Sequence, residues 1–383
     1  MRILKKCLKG ARVVLTWLVS SLFPIDNKKI VLSSYYGRGY GDNPKYIAEE
    51  LIKLGKDLKI IWLVKDEKDA VTLPAGICGV KTYSTKGIFH LCTAKVWVDN
   101  CRKGFLLFKR KKQIYIQTWH GFALKRIEKD VESALDRGYV RGAKRDSKYI
   151  DYIISDSEFM TNIYKSAFWY DKEIKQWGSP RNDIVISGDE NVKDKVFGFF
   201  GLSDDTMTVL YAPTFRVDMS IEAYSLDYER ARRVFEKRFN KKVVILVRLH
   251  PNVVEKSENL AFDGQIINAS YYPDMQELLS SCDVVISDYS SLMFDFALSR
   301  KPCFQFATDI DDYKNDRNFY FEINNLPFPL AQSNDELESR VEEFDQVSYL
   351  EKLNEFYDSV GMVIKGDAAA KCAELICESC KDV

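Results

Sequence analysis

The chain has 383 residues, with 56 Lys and Arg against 56 Asp and Glu. That balance lacks the basic excess of a dedicated nucleic-acid binder, and the length accommodates two domains with sizeable cores. The three histidines, His90, His120 and His250, leave little material for a His-rich metal centre, and the nine scattered cysteines read as reduced, mostly buried thiols of a cytoplasmic protein.

The first stretch, MRILKKCLKGARVVLTWLVSSLFPI, is the one compositional anomaly. At helical pitch Arg2, Lys5, Lys6, Lys9 and Arg12 fall on one side, while Ile3, Leu4, Leu8, Val14, Leu15, Leu18 and Leu22 fall on the other. The uncharged run Val13–Ile25 is shorter than the roughly 20 residues a spanning helix needs. The reading is an amphipathic helix within residues 1–27, its basic face on anionic lipid and Trp17 at the interface. It would place the protein peripherally, on the cytoplasmic face of the cell membrane. The rivals are a secretory signal, for which no small-x-small cleavage site follows, and a plain first helix packed on its domain.

From Lys28 onward strand and helix patterns alternate. Strands are predicted at Ile30–Ser33, Lys59–Val64, Lys95–Val98, Gln113–Gln117, Tyr149–Ser155 and Ile174–Trp177, with a helix at Pro44–Leu54. Alternation of this kind implies a parallel sheet covered by helices on both faces. The loop Tyr35–Gly39 holds glycines but no GxGxxG, so no dinucleotide site is assigned there. Phe122–Lys148 is rich in Lys, Arg and Asp and reads by default as a solvated helical face, with basic groups near an anionic acceptor as the alternative. The polar stretch Asn191–Asp205 reads as an interdomain linker. Strands resume at Met207–Tyr211, Val243–Val247, Ile266–Ile267, Val284–Ile286 and Pro302–Phe306, and the tail from Asn334 has helical character. The domains so defined are residues 28–190 and 206–383.

Chemistry concentrates at the carboxyl ends of these strands, where α/β sheets bind ligands. The strand ending in Gln117 runs into Thr118-Trp119-His120-Gly121, which makes His120 a candidate general base, against the bland reading of a structural histidine beside a tryptophan. In the second half, three strand ends present Thr214 and Arg216, Arg248 and His250, then Ser290 and Ser291. Arginine, histidine and hydroxyl donors gathered on one sheet edge describe a pyrophosphate site. Ser290 and Ser291 also open a helix, whose free N–H groups suit phosphate, although an N-cap serine is the ordinary reading.

The ordered motifs TWHG, KRDSKYIDYIISDSEFM, SPRND, YAPTFR, RLHP and SDYSSLMFDFALSRKP resemble those of the CDP-glycerol glycerophosphotransferases, the teichoic-acid primases and polymerases with their ribitol-phosphate relatives. The resemblance runs from about Tyr115 to Tyr320. It departs at Phe122-Ala123, where the family often has Thr-Pro, and at Gly178-Ser179-Pro180, where it often has Gly-Tyr-Pro. It implies a GT-B-like fold: two Rossmann-like domains facing across a cleft, the first for the acceptor and the second for the donor. The implied reaction moves glycerol phosphate or ribitol phosphate from CDP-glycerol or CDP-ribitol to a hydroxyl of a lipid-linked or polymeric cell-wall or capsule glycan, releasing CMP. His120 then matches the base. His250, Arg248, Thr214, Arg216, Ser290 and Ser291 match positions for donor phosphates and leaving-group charge, with Asp288 and Asp295 for the polyol or ribose. No cofactor and no metal site are implied, since a side-chain cluster can neutralise phosphoryl charge. A GT-B glycosyltransferase using a nucleotide sugar and a non-catalytic membrane assembly protein stay open as alternatives.

Overall fold

The computed structural model describes residues 13–103, 108–214, 225–249, 262–310 and 318–381. Arg2, Lys5, Lys6, Lys9, Arg12, Arg216 and His250 lie outside them. The chain forms two compact units: Met1–His120, Ile127–Asp183 and Lys365–Val383 make the first, Gly121–Arg126 and Ile184–Ile364 the second.

The first unit is built on β1 (Asp26–Ser33), β2 (Lys59–Val64), β3 (Ile77–Lys81), β4 (Ala94–Asp99), β5 (Ile114–Gln117), β6 (Tyr152–Ser155) and β7 (Glu173–Gln176). They pair in the order β3-β2-β1-β4-β5-β6-β7, each neighbouring pair parallel. Ile30, Val31 and Leu32 of β1 are wholly buried, as a strand covered on both faces requires. The order reverses between β1 and β4, and that is where open α/β sheets gather ligands beyond the strand ends. In the loop after β1, Gly37 has φ +88 and its missing Cβ would meet the Lys65 amide nitrogen at 2.9 Å. Close approach to the end of β2 therefore explains this glycine without any nucleotide.

The second unit repeats the plan with β8 (Met207–Tyr211), β9 (Val243–Val247), β10 (Ile266–Asn268), β11 (Val284–Ser287), β12 (Cys303–Phe306) and β13 (Leu330–Ala331). Their order is β10-β9-β8-β11-β12-β13, again parallel throughout, with the reversal between β8 and β11.

Several boundaries differ from the sequence reading. The expected linker contains a helix, Glu190–Phe200, which buries Val196 and Phe197. The tail, expected in the second domain, ends in a helix, Ala368–Cys380, whose Cys372, Ala373 and Ile376 join the core of Ile30, Ile47 and Leu51 in the first unit. Its opening amides, Ala368 and Ala369, donate to the Asp183 carboxylate at 3.2 and 2.7 Å, a cap supplied from elsewhere in the chain. Nor is Phe122–Lys148 one solvated face: Phe122, Ala123 and Leu124 are buried. The Phe122 ring lies 4.6 Å from that of Phe294 within the second unit, and only Arg137–Tyr149 forms a regular α-helix there.

Residues 13–22 are helical. Val19, with Leu15, packs against Ile88 and Cys92, so one side is an ordinary packed helix. Val13, Val14, Trp17, Leu18 and Leu22 are exposed on the other. Among the described residues no helix is long and apolar enough to cross a membrane. The eight described cysteines are free. Cys377 and Cys380 have CxxC spacing, a departure from the reading of scattered thiols, but burial pushes both thiols up, Cys380 to about 12, so neither is a ready thiolate.

Candidate active site

His120 follows β5 at the sheet edge next to β4. Thr118 N–H donates to Asp99 O at 3.0 Å, carrying the β4–β5 pairing one step past the strands. The chain then turns sharply: Trp119 has φ +52, the left-handed region that a non-glycine residue enters at a cost. The turn brings His120 Nδ1 to 2.7 Å from the Asn100 carbonyl beyond β4. A carbonyl only accepts, so Nδ1 carries the proton and Nε2 holds a lone pair. The imidazole is half-buried, with the Trp119 ring 4.2 Å away, tilted by 31°, and the Tyr35 ring at 5.7 Å. Burial pushes its pKa below the ordinary 6.5; the Asn100 carbonyl and Asp42 carboxylate oppose this, and the Arg181 guanidinium adds to it. Cys101 Sγ lies 3.9 Å from Nδ1. Burial, with Asp99 and Asp42, raises that thiol far above its usual range, which argues against a thiolate–imidazolium pair.

A buried polar cluster underlies this turn. Asp42 opens the helix Asp42–Lys53, and its Oδ2 accepts from Arg181 at 2.6 Å and from the Tyr35 hydroxyl at 2.8 Å. Arg181 NH1 also donates to His120 O at 2.9 Å. Asn43 Nδ2 donates to Trp119 O at 3.0 Å, and Arg181 N–H donates to Asn43 Oδ1 at 3.0 Å. Burial alone would raise the Asp42 carboxyl, but the Arg181 guanidinium, then Asn100 and the Asn43 amide, hold it below the usual carboxylate range.

In the second unit, the parallel register sets Tyr211 beside both Val247 and Ile286. The ends of β9, β8 and β11 are therefore adjacent, as the sequence reading requires. Asp288 Oδ1 accepts from Thr214 N–H at 2.9 Å and from Tyr289 N–H at 2.7 Å, tying the loop after β8 to the turn after β11. Ser290 and Ser291 are half-buried in that turn. Ser290 Oγ accepts from Leu292 N–H at 3.3 Å, and Ser291 precedes the helix Leu292–Ala297 without a side-chain capping bond. Arg248 donates to the carbonyls of Ala269 at 3.4 Å and Tyr272 at 2.6 Å, and burial lowers its pKa. Asp295 is buried, 3% exposed, and its Oδ2 accepts from Gln276 at 3.3 Å. Among the described residues no cluster of three or more His, Cys, Asp or Glu is placed to hold a metal ion.

Residues 15–378 match the family model for CDP-Glycerol:Poly(glycerophosphate) glycerophosphotransferase. The chain belongs to that family. The Staphylococcus epidermidis teichoic acid poly(glycerol phosphate) polymerase is 34% identical over 369 residues, which cover 93% of this chain and 51% of the polymerase. The chain thus spans about half the length of that relative. The Staphylococcus aureus teichoic acid glycerol-phosphate transferase is 30% identical, with 93% of this chain and 94% of the transferase covered. A histidine-to-asparagine variant of the wall teichoic acid polymerase TagF, soaked with CDPG, superposes with a TM-score of 0.86 at 31% identity, covering 97% of this chain and 94% of the chain in that structure. Two doubly wound parallel sheets on one chain are the GT-B-like fold of this glycerophosphotransferase family.

Of the predicted site residues, His120 stands at the carboxyl edge of the first sheet one strand beyond its switch point, while Thr214, Asp288, Ser290 and Ser291 gather at the switch point of the second, with Arg248 one strand beyond. Asp288 organises the turn through backbone amides, and Asp295 lies inside the helix packing. Asp42, Asn43, Asn100 and Arg181 carry no role among the sequence-based expectations. Arg181 lies in the family motif SPRND, and that membership was the only available signal.

Proposed function

We propose that this glycerophosphotransferase-family chain moves a polyol phosphate, glycerol phosphate in the first instance, from a CDP-activated donor to a hydroxyl of a teichoic-acid-type glycopolymer. The observation that carries the reading is the His120 imidazole, held as the Nδ1–H tautomer by the Asn100 carbonyl. Its Nε2 lone pair takes the acceptor proton. The acceptor oxygen bonds to the phosphorus bearing the polyol, the bond from that phosphorus to the oxygen of CMP breaks, and CMP departs. Arg248, Thr214, Ser290 and Ser291, with Arg216 and His250 from outside the described residues, hold the donor phosphates. Asp288 ties the loops of that strand edge together, and Asp295 lies behind it in the helix packing. The names of the relatives and the CDPG soak of TagF support the donor class. The direct test offers the protein CDP-glycerol, CDP-ribitol and a panel of nucleotide sugars with a polyol-phosphate-primed acceptor. CMP release with a product heavier by one polyol phosphate is expected. Turnover of a nucleotide sugar, or no transfer from either CDP-polyol, overturns the reading.

The reading includes contact with an anionic membrane surface at its cytoplasmic face. Exposed Trp17, Leu18 and Leu22 support it, as does the basic set Arg2, Lys5, Lys6, Lys9 and Arg12. Each Lys or Arg near such a surface contributes about 1 kcal/mol. Replacing Lys5, Lys6 and Lys9 together with Glu should abolish most co-sedimentation with anionic liposomes at physiological salt. Unchanged sedimentation removes the membrane contact from the proposal.

A further inference from the structure

We propose that Asp42 and Arg181, with Asn43, are positioning residues for His120, forming a buried ion pair that fixes the backbone of the catalytic turn and balances the charge around its imidazole. The inference rests on the reading of His120 as the base.

The bonds of this cluster converge on that turn. Arg181 NH1 bridges the Asp42 carboxylate and the His120 carbonyl. Asn43 links the Arg181 backbone N–H, through its Oδ1, to the Trp119 carbonyl, through its Nδ2. Successive carbonyls on either side of the imidazole's own Cα are therefore gripped from a single point. Asn100 closes the ring, its carbonyl accepting from Nδ1 and its side chain bonding Asp42. Both partners are buried, with 5% and 4% of the Arg181 and Asp42 side chains exposed. A buried pair gives no assured stability over an apolar replacement, so its arrangement around one histidine is the informative feature.

Backbone strain collects at the same place. Tyr35, Asp42 and Trp119 have φ of 44, 58 and 52, three non-glycine residues in the left-handed region. Such conformations persist where the surroundings over-determine them, and they cluster at active sites. Here the surroundings are the bonds of the pair: Tyr35 donates to Asp42, and the Trp119 carbonyl is held through Asn43.

The pair is also electrostatic. The charged and titratable groups around the imidazole are Asp42, Arg181 and Glu128, with Cys101 and Tyr35 in ring contact or hydrogen-bond range. Asp42 favours the imidazolium and Arg181 disfavours it. Removing the two charges one at a time should therefore move the His120 titration in opposite directions, while loss of the bonds to the turn should show in turnover.

The test uses the full chain labelled with 15N-histidine, whose three imidazoles are assigned from His90→Ala and His250→Ala. The His120 titration and single-turnover kinetics are followed in Asp42→Asn, Arg181→Gln, Arg181→Lys and the neutral double variant Asp42→Asn/Arg181→Gln, each checked for fold by near-ultraviolet circular dichroism. The His120 pKa should fall in Asp42→Asn and rise in Arg181→Gln, with the acid limb of turnover following each. Arg181→Lys keeps the charge but loses the fork, so turnover should drop by about 10²-fold at unchanged donor affinity, as for a misplaced catalytic group. The double variant should lose turnover similarly while its pKa returns toward that of the wild type. Folded variants with an unmoved His120 titration and wild-type turnover, alongside an inactive His120→Ala, overturn the positioning role and leave the base in place. Near-normal turnover in His120→Ala overturns both.

Discussion

Replacing His120 with alanine should reduce turnover by about 10²–10⁴-fold, the range of a positioned acid or base, while CDP-donor affinity stays near that of the wild type. The split follows from placement. His120 belongs to the first sheet, and the residues assigned to the donor gather on the second. His250→Ala should lose donor affinity as well as rate, because His250 follows Arg248 by two residues in the motif RLHP assigned to the donor. His90→Ala should be nearly silent: His90 lies on the helix Thr85–Thr93, which leads into the amino end of β4 and not from a carboxyl end. Single-turnover kinetics and donor binding on the three folded variants decide the matter. The pH profile adds a second check. Burial depresses the His120 imidazole below 6.5, so the base stays unprotonated into mildly acidic solution and the acid limb of turnover should lie below that value. The depression also has a sign in stability. Below about 6.5 the unfolded chain binds the proton first, so this group costs stability as pH falls from there through its folded value.

The parts of the fold that were legible are those whose residues declare their own environment. The strands at Lys59–Val64, Met207–Tyr211 and Val243–Val247 are the clearest case. They match their predicted limits, because an apolar, β-branched run between polar ends has few other uses. β3, with Gly79 and Lys81 in five residues, carries no such signal, and β13 has only two residues. Glu190–Phe200 was unreadable as a helix because Asn191, Gly198 and its charges imitate a linker, and only the burial of Val196 and Phe197 makes it structural. The return of the tail helix to the first unit depends on a surface offered by elements at the opposite end of the chain. No local pattern encodes that. The site divides in the same way. His120, Ser290 and Ser291 follow buried strands and were found by that rule. Asp42 and Arg181 are 139 positions apart, and each looks like an ordinary surface charge until the sheet order brings β1 and the segment after β7 around the same turn.

Changing Ser290 and Ser291 together to alanine should weaken binding of the CDP-polyol donor strongly while leaving the unit folded. A hydrogen bond to a charged group is worth roughly 1.5–3 kcal/mol, so the pair together should lower affinity by at least about 10²-fold if each hydroxyl meets a phosphate oxygen. The geometry separates this effect from unfolding. β11 is buried along its whole length, and the turn after it takes its shape from Asp288, whose Oδ1 accepts from the Thr214 and Tyr289 amides. The serines contribute little to that frame: Ser290 accepts one long bond, at 3.3 Å, and Ser291 makes no capping bond. The helix they open has only six residues, less than two turns, so its dipole alone is a weak anion site and the hydroxyls must supply most of the recognition. Asp288→Ala is the contrasting variant. It should lower the unfolding temperature as well as donor affinity, because it strips two backbone amides of their acceptor. Calorimetry giving wild-type donor affinity for the folded double-serine variant would take both serines out of the donor site.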